Sequence, residues 1–173
     1  PDNVTRIGEN AFAECSNLKS ITFGSKLKAI GKRAFLDCVN LESVMIPDDL
    51  ETLNVFTFDR CSKLSSVQLG KKLKLIKDAA FRWCVSLQSI DFPDGIIQIR
   101  HRSFQGSGLR SVTIPSSITK IGRGAFSFSQ FLESATIGAS PLVIIQSNAF
   151  TLNPKLKNVT IDAKNIFCAG GPF

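Results

Sequence analysis

The sequence predicts a solenoid of short strands wound into stacked coils of about 23 residues. Three observations predict it. Half of the 14 phenylalanines form a ladder, Phe12, Phe35, Phe58, Phe81, Phe104, Phe126 and Phe150, with successive spacings of 23, 23, 23, 23, 22 and 24. Each follows a small residue: Ala11, Ala34, Thr57, Ala80, Ser103, Ala125 or Ala149. Companion columns run beside the ladder, with Cys15, Cys38, Cys61 and Cys84 three residues after the first four phenylalanines, and Leu18, Leu41, Leu64, Leu87, Leu109, Leu132 and Leu156 further on. A fixed period of this kind marks a repeat architecture, in which one unit cannot bury its apolar face alone and stability comes from stacking neighbours.

Within a coil the leucine opens an L-x-S-φ-x-φ segment, as in Leu18-Lys19-Ser20-Ile21-Thr22-Phe23. Its last apolar positions alternate with a polar one, the pattern of a short strand with one buried face. Gly24, Pro47, Gly70, Pro93, Pro115 and Gly138 end these strands, because proline offers no ladder donor and glycine permits a turn. Pairs such as Leu27 and Ile30, Leu50 and Leu53, or Ile118 and Ile121 return the chain to the next small-Phe turn. A deletion at Gly106–Gly108 explains the spacing of 22, and an insertion near Gly138–Pro141 the spacing of 24. Outside the apolar rows, three columns alternate in sign: Lys26, Asp49 and Lys72; Lys28, Glu51 and Lys74; Asp48, Lys71 and Asp94. Neighbouring coils about 5 Å apart would bring these opposite charges together.

The consensus L-x-S-I-x-I-P-x-x-L-x-x-I-G-x-x-A-F-x-x-C-x-x resembles the Treponema pallidum-type leucine-rich repeat of BspA-like proteins. Leu18, Ser20, Ile21, Phe23, Leu27, Ile30, Gly31, Ala34, Phe35 and Cys38 match it in order. The resemblance implies an α/β repeat of mostly short parallel strands, a right-handed, curved solenoid of about six to seven coils with the L-x-x-φ-x-φ strands on the concave side. It also implies a surface or secreted location in host-associated bacteria or parasitic protists, and adhesion to host proteins or cells. Residues 1–161 are expected to form the solenoid, and 162–173 an off-pattern tail or cap. Pro1–Gly8 matches the mid-repeat segment Pro115–Gly122, which suggests a fragment of a longer array.

Composition narrows the function. The 173 residues are 43% hydrophobic with a net charge of +7, which fits a folded domain with a substantial core. The longest aliphatic run, Leu142–Ile145, is far short of the roughly 20 apolar residues of a membrane span. With one His and no Tyr, acid-base chemistry has few candidates. His101 would need a nucleophile and a carboxylate, but its column neighbours are Asp78 and Arg123 and no triad follows. Four of five cysteines lie 23 apart, unlike the close pairs of zinc sites, and are expected to be buried free thiols, with Cys168 the reactive or pairing one. Trp83 shares a column with Arg60, Gly106 and Phe128, as a shield for the core or a cation–π partner of Arg60. No catalytic residue, metal or cofactor is expected.

Two surfaces remain as binding candidates. On the expected concave face, the outward columns hold Lys19, Glu42, Ser65, Gln88, Arg110, Glu133 and Lys157, and beside them Met45, Gln68, Asp91 and Thr113. Their mixed polarity suits recognition of a protein or glycan. The second candidate is a basic flank of Lys32, Arg33, Lys77, Arg82, Arg100, Arg102 and Arg123 near the small-Phe turns, able to attract host extracellular matrix or another acidic surface. Nucleic acid is not expected, since no recognition motif accompanies these cations. The reading is therefore a non-enzymatic adhesion module, with an intracellular scaffold as the alternative, which free thiols would suit.

Overall fold

The computed structural model describes residues 3–172; Pro1 and Asp2, where the half-coil opening is expected, and Phe173 lie outside the described residues. Among the described residues thirteen short strands pair in parallel, each with its counterpart one coil away.

The L-x-S-φ-x-φ segments give β3 (Ser43–Met45), β5 (Ser66–Gln68), β8 (Ser111–Ile114), β10 (Ser134–Ile137) and β12 (Asn158–Ile161). Their partners follow the repeat: Ser43↔Ser66, Ser111↔Ser134 and Ser134↔Asn158. The return segments form a second row, comprising β1 (Arg6–Ile7), β2 (Ala29–Ile30), β4 (Thr52–Leu53), β6 (Leu75–Ile76), β7 (Gln98–Ile99), β9 (Lys120–Ile121), β11 (Val143–Gln146) and β13 (Ile166–Ala169). This return row is the more continuous one. Six of its strands form one sheet, whereas the first row is split into a pair, a triplet and a single bridge at Ser20. β13 joins it at Val143↔Ile166, so the tail that looks off-pattern in sequence keeps the register of a coil.

The split has a side-chain correlate. The two coils without a strand here end the φ-x-φ segment in Phe23 and Phe92, where five sisters carry Ile46, Leu69, Ile114, Ile137 and Ile161. Both rings turn edge-on to the ladder, Phe23 against Phe35 at 5.8 Å and Phe92 against Phe104 at 5.6 Å.

The helical part of the expected α/β class is not found: the described residues contain no helix. The small-Phe arc instead carries a left-handed residue two positions before each ladder phenylalanine and another two after it, for example Arg33 and Asp37 around Phe35, both at φ 56°. Such residues break a helical run. They also aim alternate amides along the stack: the backbone N–H groups of Arg33, Phe35 and Asp37 donate to the carbonyls of Val55, Thr57 and Asp59 in the next coil. The arc is thus satisfied between coils, as buried backbone must be.

Inside, the phenylalanines stack with ring centroids 5.3–5.4 Å apart and planes within 4–15°. Phe35 through Phe150 are buried; Phe12 and Cys15, on the outer face of the first described coil, are exposed. Close approach also fixes a glycine at the coil entrance, since a Cβ on Gly31 would stand 2.5 Å from the carbonyl carbon of Gly8.

Candidate binding surfaces

The cysteine column proves to be a row of donors. The thiols of Cys38, Cys61 and Cys84 point to the carbonyls of Phe12, Phe35 and Phe58 at 3.1–3.2 Å. Where the column changes, hydrogen-bonding residues replace it: Ser107 and Ser129 meet at 3.2 Å, and Asn153 donates to the carbonyls of Phe126 and Phe150. Burial raises the Cys38 thiol to about 11 and pushes Cys61 and Cys84 higher. All five thiols are free, and Cys168 is exposed. Among the described residues no group of three or more His, Cys, Asp or Glu is placed to hold a metal ion. Among the described residues no helix is long and apolar enough to cross a membrane.

On the flank beyond the strands, one step of each charge column closes into an ion pair, Lys71–Asp48 at 3.1 Å, Lys72–Asp49 at 2.6 Å and Lys74–Glu51 at 3.2 Å, while Lys26, Lys28 and Asp94 in the same columns have no ion-pair partner within 4.0 Å among the described residues. Hydrogen bonds from Lys71 and Lys72 hold the Asp48 and Asp49 carboxyls below their usual range.

The strand face behaves differently. Lys19, Glu42, Ser65, Gln88, Arg110, Glu133 and Lys157 are all exposed, as are Met45, Gln68, Asp91 and Thr113. Arg110, Glu133 and Lys157 follow one another with alternating sign, yet none of these charges has an ion-pair partner within 4.0 Å among the described residues. Arg110 instead lies over the exposed Phe131 ring at 5.9 Å, with the Lys155 ammonium at 5.1 Å. Two hollows open on this face, and both sit where a phenylalanine interrupts the sheet. One, about 550 Å³, is lined by Phe23, Met45, Gln68, Asp48 and Lys71. The other, about 260 Å³, is lined by Phe92, Asp91, Asp94 and Thr113.

The basic flank is partly consumed by the fold. Arg82 donates through Nε and a terminal nitrogen to the buried Asp59 carboxylate at 2.9 and 2.7 Å, a bidentate fork. Arg82 and Arg33 lie over the Phe56 ring at 5.3 and 5.4 Å. Lys32 reaches Glu9 at 3.9 Å, and Lys77 donates to the Asn54 side chain at 2.9 Å. Arg100, Arg102 and Arg123 are exposed and have no carboxylate within 4.0 Å among the described residues. The pKa of half-buried His101 is lowered first by burial and then by the charge of Arg102, against the opposing charge of Asp78. The ring of Trp83 meets Phe128 at 6.5 Å, two coils away.

The model of the BspA type leucine rich repeat region matches residues 1–84 and 74–168, in six copies. The chain is 27% identical to a leucine-rich repeat protein from Bacteroides ovatus, with a TM-score of 0.77, covering 98% of this chain and 55% of that one. Against the T. pallidum leucine rich repeat protein, identity is 26% and TM-score 0.81, over 87% of this chain and 73% of the other. The pneumococcal vaccine antigen PcpA shares the fold at 21% identity and TM-score 0.69, over 93% and 49% of the two chains. The chain thus spans about half the length of two of these three proteins. No curated protein matches the sequence.

Proposed function

The chain belongs to the BspA-type leucine-rich-repeat family, and from that premise we propose that it is a non-enzymatic interaction module whose strand face binds a protein or glycan partner in a cell-surface or secreted adhesin. One observation carries the choice of face: on the flank Asp48, Asp49 and Glu51 are each taken by a lysine of the next coil at 2.6–3.2 Å, while on the strand face Lys19, Glu42, Asp91, Glu133 and Lys157 are all exposed without an ion-pair partner among the described residues. Unpaired charges on a fixed frame are open to an incoming partner without first breaking an internal bond. The two hollows add places for a side chain or sugar ring. A right-handed, curved coil, as the family implies, would put this face on the inner side, where repeat proteins carry extended binding surfaces. The surface location and the adhesive role come from the family, since leucine-rich repeats as a fold serve many partners.

The test is capture by a panel of immobilised extracellular-matrix proteins and anionic glycans. Wild type is expected to bind at least one member, and joint replacement of Glu42, Gln88 and Arg110 by alanine to abolish that binding with the fold intact. Unchanged capture by the triple variant would move the site off the strand face. Failure of the wild type to bind any member would count against adhesion.

A further inference from the structure

The turn edge contains its own internal control. Two residues after the ladder phenylalanine, all seven coils hold a left-handed residue, with φ between 56° and 67°. In the first three coils it is polar: Glu14, Asp37 and Arg60; in the fifth it is Gly106. In the remaining coils it is Trp83, Phe128 and Leu152, exposed by 40%, 40% and 60%. The backbone therefore accepts a charge or a glycine here, and a left-handed φ disfavours bulky side chains. The coil itself does not require the three large apolar groups. They are also contiguous. Gly106 leaves room for the Trp83 ring, which a Cβ would strike, and Trp83 reaches across it to Phe128.

Charge changes along the same edge. In the early coils Arg60 and Arg82 are matched by carboxylates, Asp37 at 3.5 Å and Asp59 at 2.7 Å. In the later coils Arg100, Arg102 and Arg123 lack a carboxylate partner among the described residues. A cleft of about 180 Å³ opens between Arg102, Arg123, Phe128 and Leu152. An open groove of about 510 Å³ continues from it along Phe128, Leu152 and Pro154.

We propose that the Trp83–Phe128–Leu152 stripe with Arg102 and Arg123 is a second docking surface, for a protein segment that presents an aliphatic or aromatic side chain between carboxylates. The apolar residue fills the cleft between Phe128 and Leu152, and the carboxylates meet the two guanidinium forks, which match them in shape and charge. Exposed apolar patches rimmed by polar groups mark such contacts. A purely ionic polymer would leave the stripe uncovered, so charge and apolarity together select a peptide. The surface uses none of the strand-face residues, so either site can fail without the other.

The test is selection from a displayed random dodecapeptide library on the intact chain. Enriched peptides should carry Leu, Ile, Phe or Trp flanked by Asp or Glu. Their affinity should fall at least about tenfold in Phe128→Ser/Leu152→Ser, and again in Arg102→Gln/Arg123→Gln, with no change in the Glu42, Gln88 and Arg110 triple variant. Phe128→Gly, which suits the left-handed backbone, should keep or raise the melting temperature. A lower melting temperature in that variant would assign the stripe to core shielding and overturn the proposal. So would enrichment of acidic peptides lacking an apolar residue, no enrichment at all, or a wild-type dimer that the two serines dissociate.

Discussion

At the turn edge of the third and fourth coils, a buried carboxylate of Asp59 takes both arms of Arg82, and Arg82 lies with Arg33 over Phe56. At the strand face of the same coils, Gln68 and Asp91 project into solvent beside open hollows. The two regions share a backbone period and a core, yet one commits its charged groups to the neighbouring coil and the other leaves Gln68 and Asp91 to solvent. In a solenoid each outward column is copied next to itself, so a column either pairs with itself and adds to the frame, or does not and is available to a partner. Substitutions should sort accordingly: deep in the ladder or at the Arg82–Asp59 fork they cost stability, and on the strand face they cost binding.

The largest effect belongs to the ladder. Phe81 stacks on Phe58 and Phe104, and Phe81→Ala should lower the unfolding free energy by roughly 3–5 kcal/mol, measured by urea titration. An unmoved midpoint would remove the ladder from the frame. Next is Arg82→Met, which keeps an unbranched side chain but removes the guanidinium over Phe56 and strands the Asp59 carboxylate, whose side chain is 2% exposed. Breaking a buried pair from one side should cost about 3 kcal/mol. The partner change Asp59→Asn should cost less, because an amide still accepts from Arg82.

The thiol column gives a pH test. In the native chain burial keeps Cys38 protonated up to about 11, against an ordinary 9.0, and Cys61 and Cys84 beyond that. Above 9.0 the unfolded chain releases these protons and the native chain does not, so stability is full below that pH and falls as pH rises through it. Each thiol contributes a slope of up to about 1.4 kcal/mol per pH unit. Urea midpoints taken on either side of pH 9.0 should show the decline, and Cys61→Ser with Cys84→Ser should remove most of it. A flat profile would mean the column is not shut off from water.

The sequence makes the frame readable because burial repeats: a column that must be apolar in every coil leaves Phe, Leu and Ile at fixed intervals, and the ion pairs at Asp48, Asp49 and Glu51 follow from the same arithmetic. Features that depend on geometry rather than residue type are not readable. The return strands are only two residues long in most coils, such as Leu75–Ile76, too short to alternate. The absence of helix follows from left-handed residues as different as Arg33, Phe56 and Ala79, which share no side-chain signal. The replacement of Cys by Ser107, Ser129 and Asn153 looks like decay until the hydrogen bonds are visible, between the two serines and from Asn153 to the Phe126 and Phe150 carbonyls. For the candidate sites, the outward columns are legible from alternation, but the loss of Arg82 to Asp59 is not, because nothing in Asp59 itself announces burial. Trp83 lies with Phe128 rather than with Arg60 because Gly106 opens the way.

The division of labour between the two regions is tested most directly by the unfolding free energy of the chain with Glu42, Gln88 and Arg110 all changed to alanine. These exposed side chains hold no ion pair with a neighbouring coil, so the value should stay within about 0.5 kcal/mol of wild type, as for ordinary surface substitutions. A loss comparable to that of Arg82→Met would contradict the account, because the strand face would then belong to the frame.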